Sequence, residues 1–465
     1  MRFAQYSSMS KTNQLLAGAA QIDVTPVLGI QIAGDIGRYR PVEQIRDPLH
    51  ARALVLQSDG KKIVIVSADI CNIAPKESAF LRREIAAAVG AQPRTVMLHA
   101  TQNHSGPSLG DYWVSDECCL PKDFWWLRGG DPRYNGFFHQ RVLAAVCKAD
   151  AARQPATLKA VRGIDGRLSF NRRYIMRDGT LVFQPERCHP DLLGPEGPTD
   201  PEVSLAVFEN KAGRAIAALL HHTCHPTHGY PMRYISADWP GYWATCITDI
   251  LGAQCIGLPF NGFCGNILGT DPLDPDHPVN LYVMAERLLE TTRRIASGLK
   301  PLESVPLDCC ARVLKIPMRK ISATEIKKAK ALMAKNPGPI WKDADKSTIE
   351  WDWMYALSLL DLAEQSKKEP FFDFEIQVFR IGELAIVGWP GEPFVEAQLE
   401  LKLCSPAKQT FMAHEANYEA GYQPTTAALK RGGYETRTCN CSKLDGSSLA
   451  TCTAATKAMM KKLFA

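Results

Sequence analysis

The sequence predicts an α/β fold in which mixed β-sheets are flanked by α-helices, within a single large domain. From Ala19 onward, short apolar runs alternate with amphipathic segments, and the order strand, helix, strand is typical of layered α/β proteins. A chain of 465 residues can bury a large core, and 46% hydrophobic with 22% charged residues is ordinary for a globular protein. We therefore expect an N-terminal tail over residues 1–18 and one domain over 19–465.

The first elements in the chain are predicted by strand and turn signals. Residues 52–56 and 62–69 are apolar runs separated by Asp59-Gly60, which indicates a β-hairpin. A helix is expected over 76–89, followed by a strand over 95–99. The segment 110–136 is rich in Trp, Gly and Pro without a clear period, so we expect a long loop there.

The middle and C-terminal elements follow from the same signals. Ser322 with Glu325, and Ser347 with Glu350, match the capping-box pattern, so helices of an insertion are predicted near 320–368. The other expected helices lie at 137–152, 241–251, 279–297 and 453–465. The other expected strands lie at 157–162, 167–174, 203–208, 215–221, 254–258, 374–381, 383–387 and 409–414.

The composition excludes several classes of partner and compartment. A net charge of +5 without a basic block argues against nucleic acid, and no apolar run approaches the roughly 20 residues that span a bilayer. The apolar segment at 15–20 is shorter than the apolar core of a secretion signal, which has roughly 7 to 15 residues. Many of the fifteen cysteines lie in apolar runs, as reduced cysteines do. We therefore expect a soluble, cytoplasmic protein.

Five apolar strands end in polar segments that contain Gly or Pro, which we call the elbows. They lie at 101–107, 221–228, 261–266, 388–393 and 415–422. Strand ends that share an edge converge in space, so the elbows are expected to build one cleft. The donors that this cleft would gather are His99, His104, His225, Glu392 and Tyr422. Nitrogen and oxygen ligands with one open position suit a catalytic zinc ion or a similar divalent ion.

Eight short motifs occur along the chain in an order that is typical of one protein family. The motifs are IDVTP at 22–26, DPLHARAL at 47–54, NHSGP at 103–107, NRR at 171–173, ISADWPGY at 235–242, PGE at 390–392, GYQPT at 421–425 and GYE at 433–435. In this order the chain resembles the catalytic domain of the neutral/alkaline, non-lysosomal ceramidases, as a divergent member. The chain stops too soon after Tyr434 for a counterpart of their C-terminal immunoglobulin-like domain, so none is expected.

The resemblance implies a set of zinc ligands. His225 is similar in position to the family's second ligating histidine, Glu392 to its carboxylate and Tyr422 to its tyrosine. Gln102 stands where the family has the first ligating histidine. A carboxamide oxygen is a poorer zinc ligand than imidazole. Three alternatives follow: the protein binds zinc more weakly, His104 or His99 binds the ion in place of Gln102, or the metal is absent.

The resemblance also implies the catalytic residues. His104 is similar to the histidine near the reacting carbonyl, and Arg172 to the arginine that holds developing negative charge; a surface ion pair is the alternative for Arg172. Cys264 takes the place of the family's nucleophilic serine. A metal beside the thiol could make it a nucleophile, or the thiol could bind the metal, or it could fill space while a metal-bound water attacks.

The other polar residues near the elbows are expected to support the ligands. Four of the eleven histidines lie in 221–228, and beside His225 we expect second-layer or core roles for the remaining three. Asp238 is expected to orient a ligand or to cap a helix that starts near Gly241. The residues expected in this layer are His99, His222, His228, Asp238 and Tyr434.

The sequence therefore predicts a metal-dependent hydrolase, with zinc, that cleaves an amide or related acyl bond of a small molecule. We expect a substrate other than ceramide, because two positions close to the metal differ from the family. Two alternatives remain open: a ligand-binding protein that has lost catalysis, and a metal-free cysteine hydrolase that uses Cys264 with His104.

Overall fold

The structure is a computed structural model that describes residues 14–118 and 120–465. The strands of this part are β1 (Leu16–Asp23), β2 (Gln44–Ile45), β3 (His50–Ser58), β4 (Lys61–Ala68), β5 (Val96–Ala100), β6 (Gln154–Ile164), β7 (Phe170–Asn171), β8 (Arg173–Met176), β9 (Leu181–Phe183), β10 (Leu192–Pro195), β11 (Glu202–Asn210), β12 (Ala215–His222), β13 (Tyr234–Ile235), β14 (Ile256–Asn261), β15 (Ile267–Leu268), β16 (Lys300–Leu302), β17 (Leu307–Pro317), β18 (Phe371–Ile381), β19 (Leu384–Gly388), β20 (Glu392–Pro393), β21 (Gln409–Ala413) and β22 (Tyr422–Gln423).

The helices of the same part are α1 (Pro75–Val89), α2 (Pro132–Ala151), α3 (Asp238–Cys246), α4 (Thr248–Leu251), α5 (Leu281–Ala296), α6 (Ala323–Lys335), α7 (Trp351–Lys368), α8 (Val395–Leu403), α9 (Thr426–Arg431) and α10 (Ser448–Phe464). Short 3₁₀ helices lie at Pro93–Thr95, Lys122–Arg128 and Tyr434–Thr436. None of the helices in the described part is both long and apolar enough to cross a membrane.

Two mixed sheets form the centre of the molecule. The first sheet has the strand order β14-β12-β11-β6-β1-β3-β4-β5, and β16 also pairs with β6. The second sheet has the order β17-β18-β19-β21. The pairs β4–β5 and β12–β14 in the first sheet and β19–β21 in the second are parallel, whereas the other pairs are antiparallel. The predicted mixed α/β class is therefore confirmed.

The sheets pack face to face and carry helices on their outer faces. Along β3, Ala53 and Val55 pack against α1 and α2, whereas Leu54 and Leu56 join a core shared with the second sheet. This alternation follows from the strand period of two, with both faces buried. Helices α3 and α5 cover the far half of the first sheet, and α8 and α10 cover the second. The layers are thus helix, sheet, sheet and helix.

Most predicted elements are confirmed, with three differences. The capping box of Ser322 and Glu325 starts α6, with the Glu325 N–H 3.2 Å from the Ser322 Oγ. The second capping box is wrong, because the Ser347 hydroxyl bonds the Asp343 carboxylate and α7 begins only at Trp351. The strand predicted over 167–174 is broken into β7 and β8, and the long loop over 110–136 contains a 3₁₀ helix and the first turn of α2.

The chain start and the cysteines show two further differences. β1 begins at Leu16, inside the segment predicted as a tail, and residues 1–13 lie outside the described part. Of the cysteines predicted in apolar runs, Cys71 and Cys255 are buried, whereas Cys147 is exposed on α2. A Cys on an amphipathic helix can lie on either face, so an apolar run alone does not fix its burial.

Candidate active site at the junction of the two sheets

The five elbows meet at the junction of the two sheets. The Asn261 side chain bonds the Thr101 carbonyl at 3.1 Å, which joins the elbows that follow β5 and β14. The Gly265 N–H donates to the Pro393 carbonyl at 3.0 Å, and the Glu415 N–H donates to the Gly391 carbonyl at 3.0 Å. The first of these main-chain bonds holds an elbow of the first sheet against an elbow of the second, and the other joins two elbows of the second sheet. The convergence predicted from the strand ends is therefore found in the structure.

His225 is held in one tautomer with its Nε2 facing Glu392. Its Nδ1 lies 3.1 Å from the Cys264 carbonyl oxygen, so this nitrogen carries the proton and donates it. Burial, together with the charge of Arg172, lowers the pKa of His225 well below its usual value, and the ring is neutral. The lone pair of Nε2 therefore points into the site. A ligating histidine needs this arrangement, in which one ring nitrogen donates and the other is free.

Glu392 and Tyr422 lie side by side because β20 and β22 pair in parallel with these two residues opposite each other. Glu392 Oε2 is 3.3 Å from His225 Nε2 and is buried without a hydrogen bond. Burial, with the neighbouring Glu419, raises the pKa of Glu392 to about 8. Tyr422 is buried, and the Arg172 guanidinium lies 5.4 Å from the centre of its ring.

The facing atoms of His225 and Glu392 fit a bound cation. Two lone pairs 3.3 Å apart repel each other unless a proton or a cation lies between them. Ligands of a tetrahedral zinc with bonds of about 2.0–2.1 Å are separated from each other by about 3.3 Å. The chemistry of this donor set, imidazole nitrogen with carboxylate and phenol oxygen, is also that of zinc ligands. The three residues therefore fit the ion that the resemblance implies.

Gln102 stands at the position where the resemblance implies a ligating histidine, and His414 contacts its carboxamide. Both His414 ring nitrogens lie 2.9 Å from oxygens as placed, Nδ1 from the Asn261 carbonyl and Nε2 from Gln102 Oε1. Burial lowers the His414 pKa to about 4, so the ring has one N–H, which Nδ1 donates to Asn261. At the other end of the carboxamide, the Gln102 side chain hydrogen-bonds the Glu392 carboxylate, which lowers the pKa of Glu392 against the effect of burial.

His104 and Arg172 complete the polar wall of the site. The His104 ring lies 5.2 Å from the His225 ring, and its Nε2 is buried without a partner. Burial, with the charges of Arg40 and Arg172, lowers the His104 pKa to about 3, so the imidazole is neutral. Arg172 is buried, with one amino group lacking a partner and Nη1 at 3.5 Å from His225 Nδ1. Both side chains offer unused polar atoms to a bound molecule.

Arg172 pairs with a carboxylate inside the protein, so the predicted alternative of a surface ion pair is wrong. Its Nε bonds the Glu435 carboxylate at 2.9 Å, and Glu435 also pairs with Arg173 at 2.6 Å. The Arg172 guanidinium lies 6.0 Å from the centre of the Tyr434 ring, and that ring is 5.8 Å from the ring of Tyr422. Tyr434 therefore lies beside both Arg172 and Tyr422.

Cys264 lies beside His225 but in a setting that disfavours a thiolate. Its Sγ is 3.5 Å from His225 Nδ1, 3.6 Å from Gln102 Oε1 and 3.7 Å from His414 Nε2. The thiol is fully buried, and burial raises its pKa well above the usual value, with Glu392 adding to the effect. The nearest nitrogen of His225 already donates to the Cys264 carbonyl, so it is not free to take the thiol proton.

The remaining predicted residues support the framework instead of facing the site. His99 donates from Nδ1 to the His414 carbonyl at 2.8 Å, and its Nε2 accepts from the Asn261 N–H at 3.0 Å, so it has no free donor atom. His222 Nδ1 lies 3.0 Å from the Glu202 carbonyl, and the His222 ring packs edge-on against Trp239. The option that His99 replaces the missing ligand is therefore excluded by its hydrogen bonds.

Asp238 holds His228 and does not cap a helix from outside. Its carboxylate bonds His228 Nδ1 at 2.8 Å and the His228 N–H at 2.9 Å. The helix begins at Asp238 itself, three residues before the predicted start at Gly241, and Ala237 is its N-cap residue. Asp238 has a φ of 49°, a left-handed conformation that is costly for a residue with a side chain. This pair braces the 221–228 elbow behind His225.

Two buried carboxylates that the sequence reasoning did not single out lie next to Glu392. One carboxylate oxygen from each of Glu392, Glu415 and Glu419 lies within 4.8 Å of the others, and all three residues are buried. Glu415 has a φ of 45°. The signal was present in the sequence, because both glutamates lie in the elbow at 415–422. His414 and Glu435 were also not predicted as site residues, although His414 directly precedes the elbow at 415–422 and Glu435 ends the GYE motif at 433–435.

No protein-family description matches the chain, and no curated protein sequence matches it. Among solved structures, the crystal structure of neutral ceramidase from Pseudomonas aeruginosa superposes with a TM-score of 0.72 at 18% identity, covering 98% of this chain and 75% of that one. A structure of ceramidase complexed with C2 gives 0.71 at 17% identity, covering 95% and 74%. Over nearly its whole length, the chain has the fold of the neutral ceramidase structures.

Proposed function

We propose that the protein is a zinc-dependent hydrolase of an amide or related acyl bond in a small molecule. The observation that carries the proposal is the pair of facing lone pairs on His225 Nε2 and Glu392 Oε2, 3.3 Å apart beside Tyr422. This pair lies at the junction of the two sheets in a fold shared with neutral ceramidases. A divalent cation held there would polarise a substrate carbonyl and lower the pKa of a water molecule.

The side chains around this position have complementary roles. His225, Glu392 and Tyr422 would hold the ion, and the Gln102 side chain would steady the Glu392 carboxylate by hydrogen bonding. His104, neutral and with an unpartnered Nε2, would accept a proton from the attacking water and pass it to the leaving group. The free amino group of Arg172 would donate to the oxygen on which negative charge develops.

A water nucleophile agrees better with the site than Cys264 does. A thiolate needs a neighbouring positive charge or a free base, and this thiol has a raised pKa and a histidine whose near nitrogen is a donor. Its position, packed against Gln102 and His414, is that of a residue that fills space. We therefore do not favour the metal-free cysteine hydrolase.

The proposed substrate is an acyl or N-acyl compound other than ceramide. Gln102 and Cys264 both differ from the residues that the ceramidase resemblance implies, and both line the position where the reacting carbonyl would lie. A change of two neighbouring side chains alters the shape and the hydrogen bonding available to the reacting group. Differences of this kind change substrate preference more readily than they change reaction class.

The test combines metal analysis with a substrate panel. Protein purified without added metal or chelator should contain zinc, and His225→Ala and Glu392→Gln should each lose it and lower turnover of the best N-acyl or ester substrate by roughly 100-fold or more. His189→Ala is the matched histidine control and should change neither quantity, because His189 is half-buried in the loop after β9 and its ring bonds the Asp191 N–H there. Cys264→Ala should keep its turnover. A metal-free wild type that is active, or loss of activity in Cys264→Ala, would contradict the proposal.

A further inference from the structure

The cluster of Glu392, Glu415 and Glu419 extends the site away from His225. We propose that it binds a second divalent cation, so that Glu392 bridges two ions with its two carboxylate oxygens. This inference rests on the proposed function only for the first ion, which His225 and Tyr422 hold. The second ion would have an all-oxygen set of ligands, as hard cations such as Mg²⁺ or Mn²⁺ prefer.

The first observation is geometric. One oxygen from each of the three carboxylates lies within 4.8 Å of the other two, which is the spacing of oxygens around a common cation. The three residues come from two elbows of the second sheet, and main-chain bonds fix both elbows. The Glu415 N–H bonds the Gly391 carbonyl and the Glu392 N–H bonds the Gly421 carbonyl, both near 2.9–3.0 Å. The carboxylates are thus held close together by the backbone.

The second observation is that the oxygens lack partners. Glu415 is fully buried, and neither of its carboxylate oxygens has a partner other than the neighbouring Glu419 carboxyl. Glu419 Oε2 and Glu392 Oε2 are likewise buried without a hydrogen-bond donor. Glu419 Oε1 accepts from the Gly421 N–H, and the Glu392 carboxylate hydrogen-bonds Gln102 and Tyr422. Within residues 14–118 and 120–465, no Lys, Arg or His forms an ion pair with Glu415 or Glu419. Buried carboxylates are normally paired or bound to a metal, because the cost of burying them unpaired is large.

A cleft provides a route for a cation to reach this cluster. Glu419 lines a cleft of about 570 Å³ between the start of α1 and the end of α7. Glu77, Asp111, Asp116 and Glu369 also line it, against two lysines. The excess of acidic groups favours entry of a cation over entry of an anion. The second ion would therefore load from a side of the site other than the one that His104 borders.

Glu392 is the residue that would link the two positions. Its Oε2 faces His225, and the carboxylate has a second oxygen for another ion. In sites with two metals the ions lie roughly 3.5–4 Å apart and act together on the attacking and leaving oxygens. A second ion would also compensate for the weaker donor at Gln102, because Glu392 would be held in place from both sides.

The experiment is metal stoichiometry on the full chain, loaded with Mn²⁺ or Zn²⁺ and dialysed. Wild type should bind about two equivalents, Glu415→Gln with Glu419→Gln about one, and His225→Ala about one. With Mn²⁺, wild type should give the electron paramagnetic resonance spectrum of a spin-coupled pair, and both variants that of isolated ions. Glu84→Gln, exposed on α1, is the matched control and should behave as wild type.

The outcomes separate the two proposals. About one equivalent in wild type, lost in His225→Ala and kept in the double glutamine variant, would overturn the second site and leave the proposed function standing. No metal in wild type would overturn both. Urea unfolding of the metal-free proteins tests whether each variant is folded and how stable it is. The glutamine variant should be at least as stable as wild type, because it removes two buried carboxyl groups that crowd each other. A less stable variant would show that the carboxylates are structural.

Discussion

The two halves of the site differ in how their polar groups are satisfied. At the strand ends of the first sheet, His99, His222 and His225 each bond a backbone carbonyl and stay neutral. In the elbows of the second sheet, Glu415 and Glu419 have unpartnered carboxylate oxygens in the same degree of burial. We call these the imidazole half and the carboxylate half. In the imidazole half a backbone carbonyl satisfies one nitrogen of each of these three rings. In the carboxylate half no donor satisfies Glu415, so this half needs a cation or protons.

The largest expected effect comes from removing Glu435, the buried carboxylate that pairs with Arg172. Glu435 pairs with Arg172 and Arg173, and all three side chains are buried. Glu435→Ala leaves two buried guanidinium groups without this partner, so it should lower the free energy of unfolding by about 3–5 kcal/mol in urea titrations. Lys367→Ala, which breaks an exposed pair on α7, should leave it unchanged. A loss in Glu435→Ala no larger than in this control would show that the cluster is not a support.

A smaller effect is expected from the support behind the imidazole half. The Asp200 carboxylate bonds Lys402 at 2.7 Å and Gln398 at 2.5 Å, and Gln398 accepts from the Phe263 N–H at 2.7 Å. Burial raises the Asp200 pKa, but Lys402 outweighs it and the pKa is lowered to about 2. A lowered pKa contributes stability that is present above the unfolded value near 3.9 and is lost as the pH falls through about 2.

Asp200→Asn should therefore cost roughly 2–3 kcal/mol at neutral pH and remove this part of the acid dependence. Chemical unfolding at pH 7 and at several values down to pH 2 measures both. If the variant and wild type keep the same difference in stability at every pH, the carboxylate is not the titrating support.

The smallest effect tests the contact between the halves directly. A Cβ on Gly265 would clash with the backbone carbonyl oxygen of Glu392, and neither main chain can move freely. Gly265→Ala should cost about 1–3 kcal/mol and weaken metal binding, because it pushes His225 and Glu392 apart. Gly166→Ala is the matched control, since nothing lies within 4 Å of its added Cβ. Unchanged metal affinity in Gly265→Ala would mean that the halves bind independently.

The sequence predicted the elbows well because each elbow is defined by residues that are close together in the chain. A buried strand ending in polar residues with Gly or Pro is visible in ten residues, and five such endings were sufficient to expect one cleft. The orientation of Gln102 was not predictable, since its partner His414 is 312 residues away. The burial of Glu415 away from any hydrogen-bond donor was also not predictable, because a glutamate after a strand is usually exposed to water. Only the packed structure shows that this one is buried.

The end of β21 has a consequence for how this site can change over evolution. His414 orients Gln102, while the next residue, Glu415, belongs to the carboxylate cluster. The parallel pairing of Gly388 with Ala413 fixes where these two residues fall. Insertion or deletion of a single residue in this strand would exchange an imidazole for a carboxylate at one position, because neighbouring residues point to opposite sides. Strand register here, more than residue identity, determines which chemistry each side of the site receives.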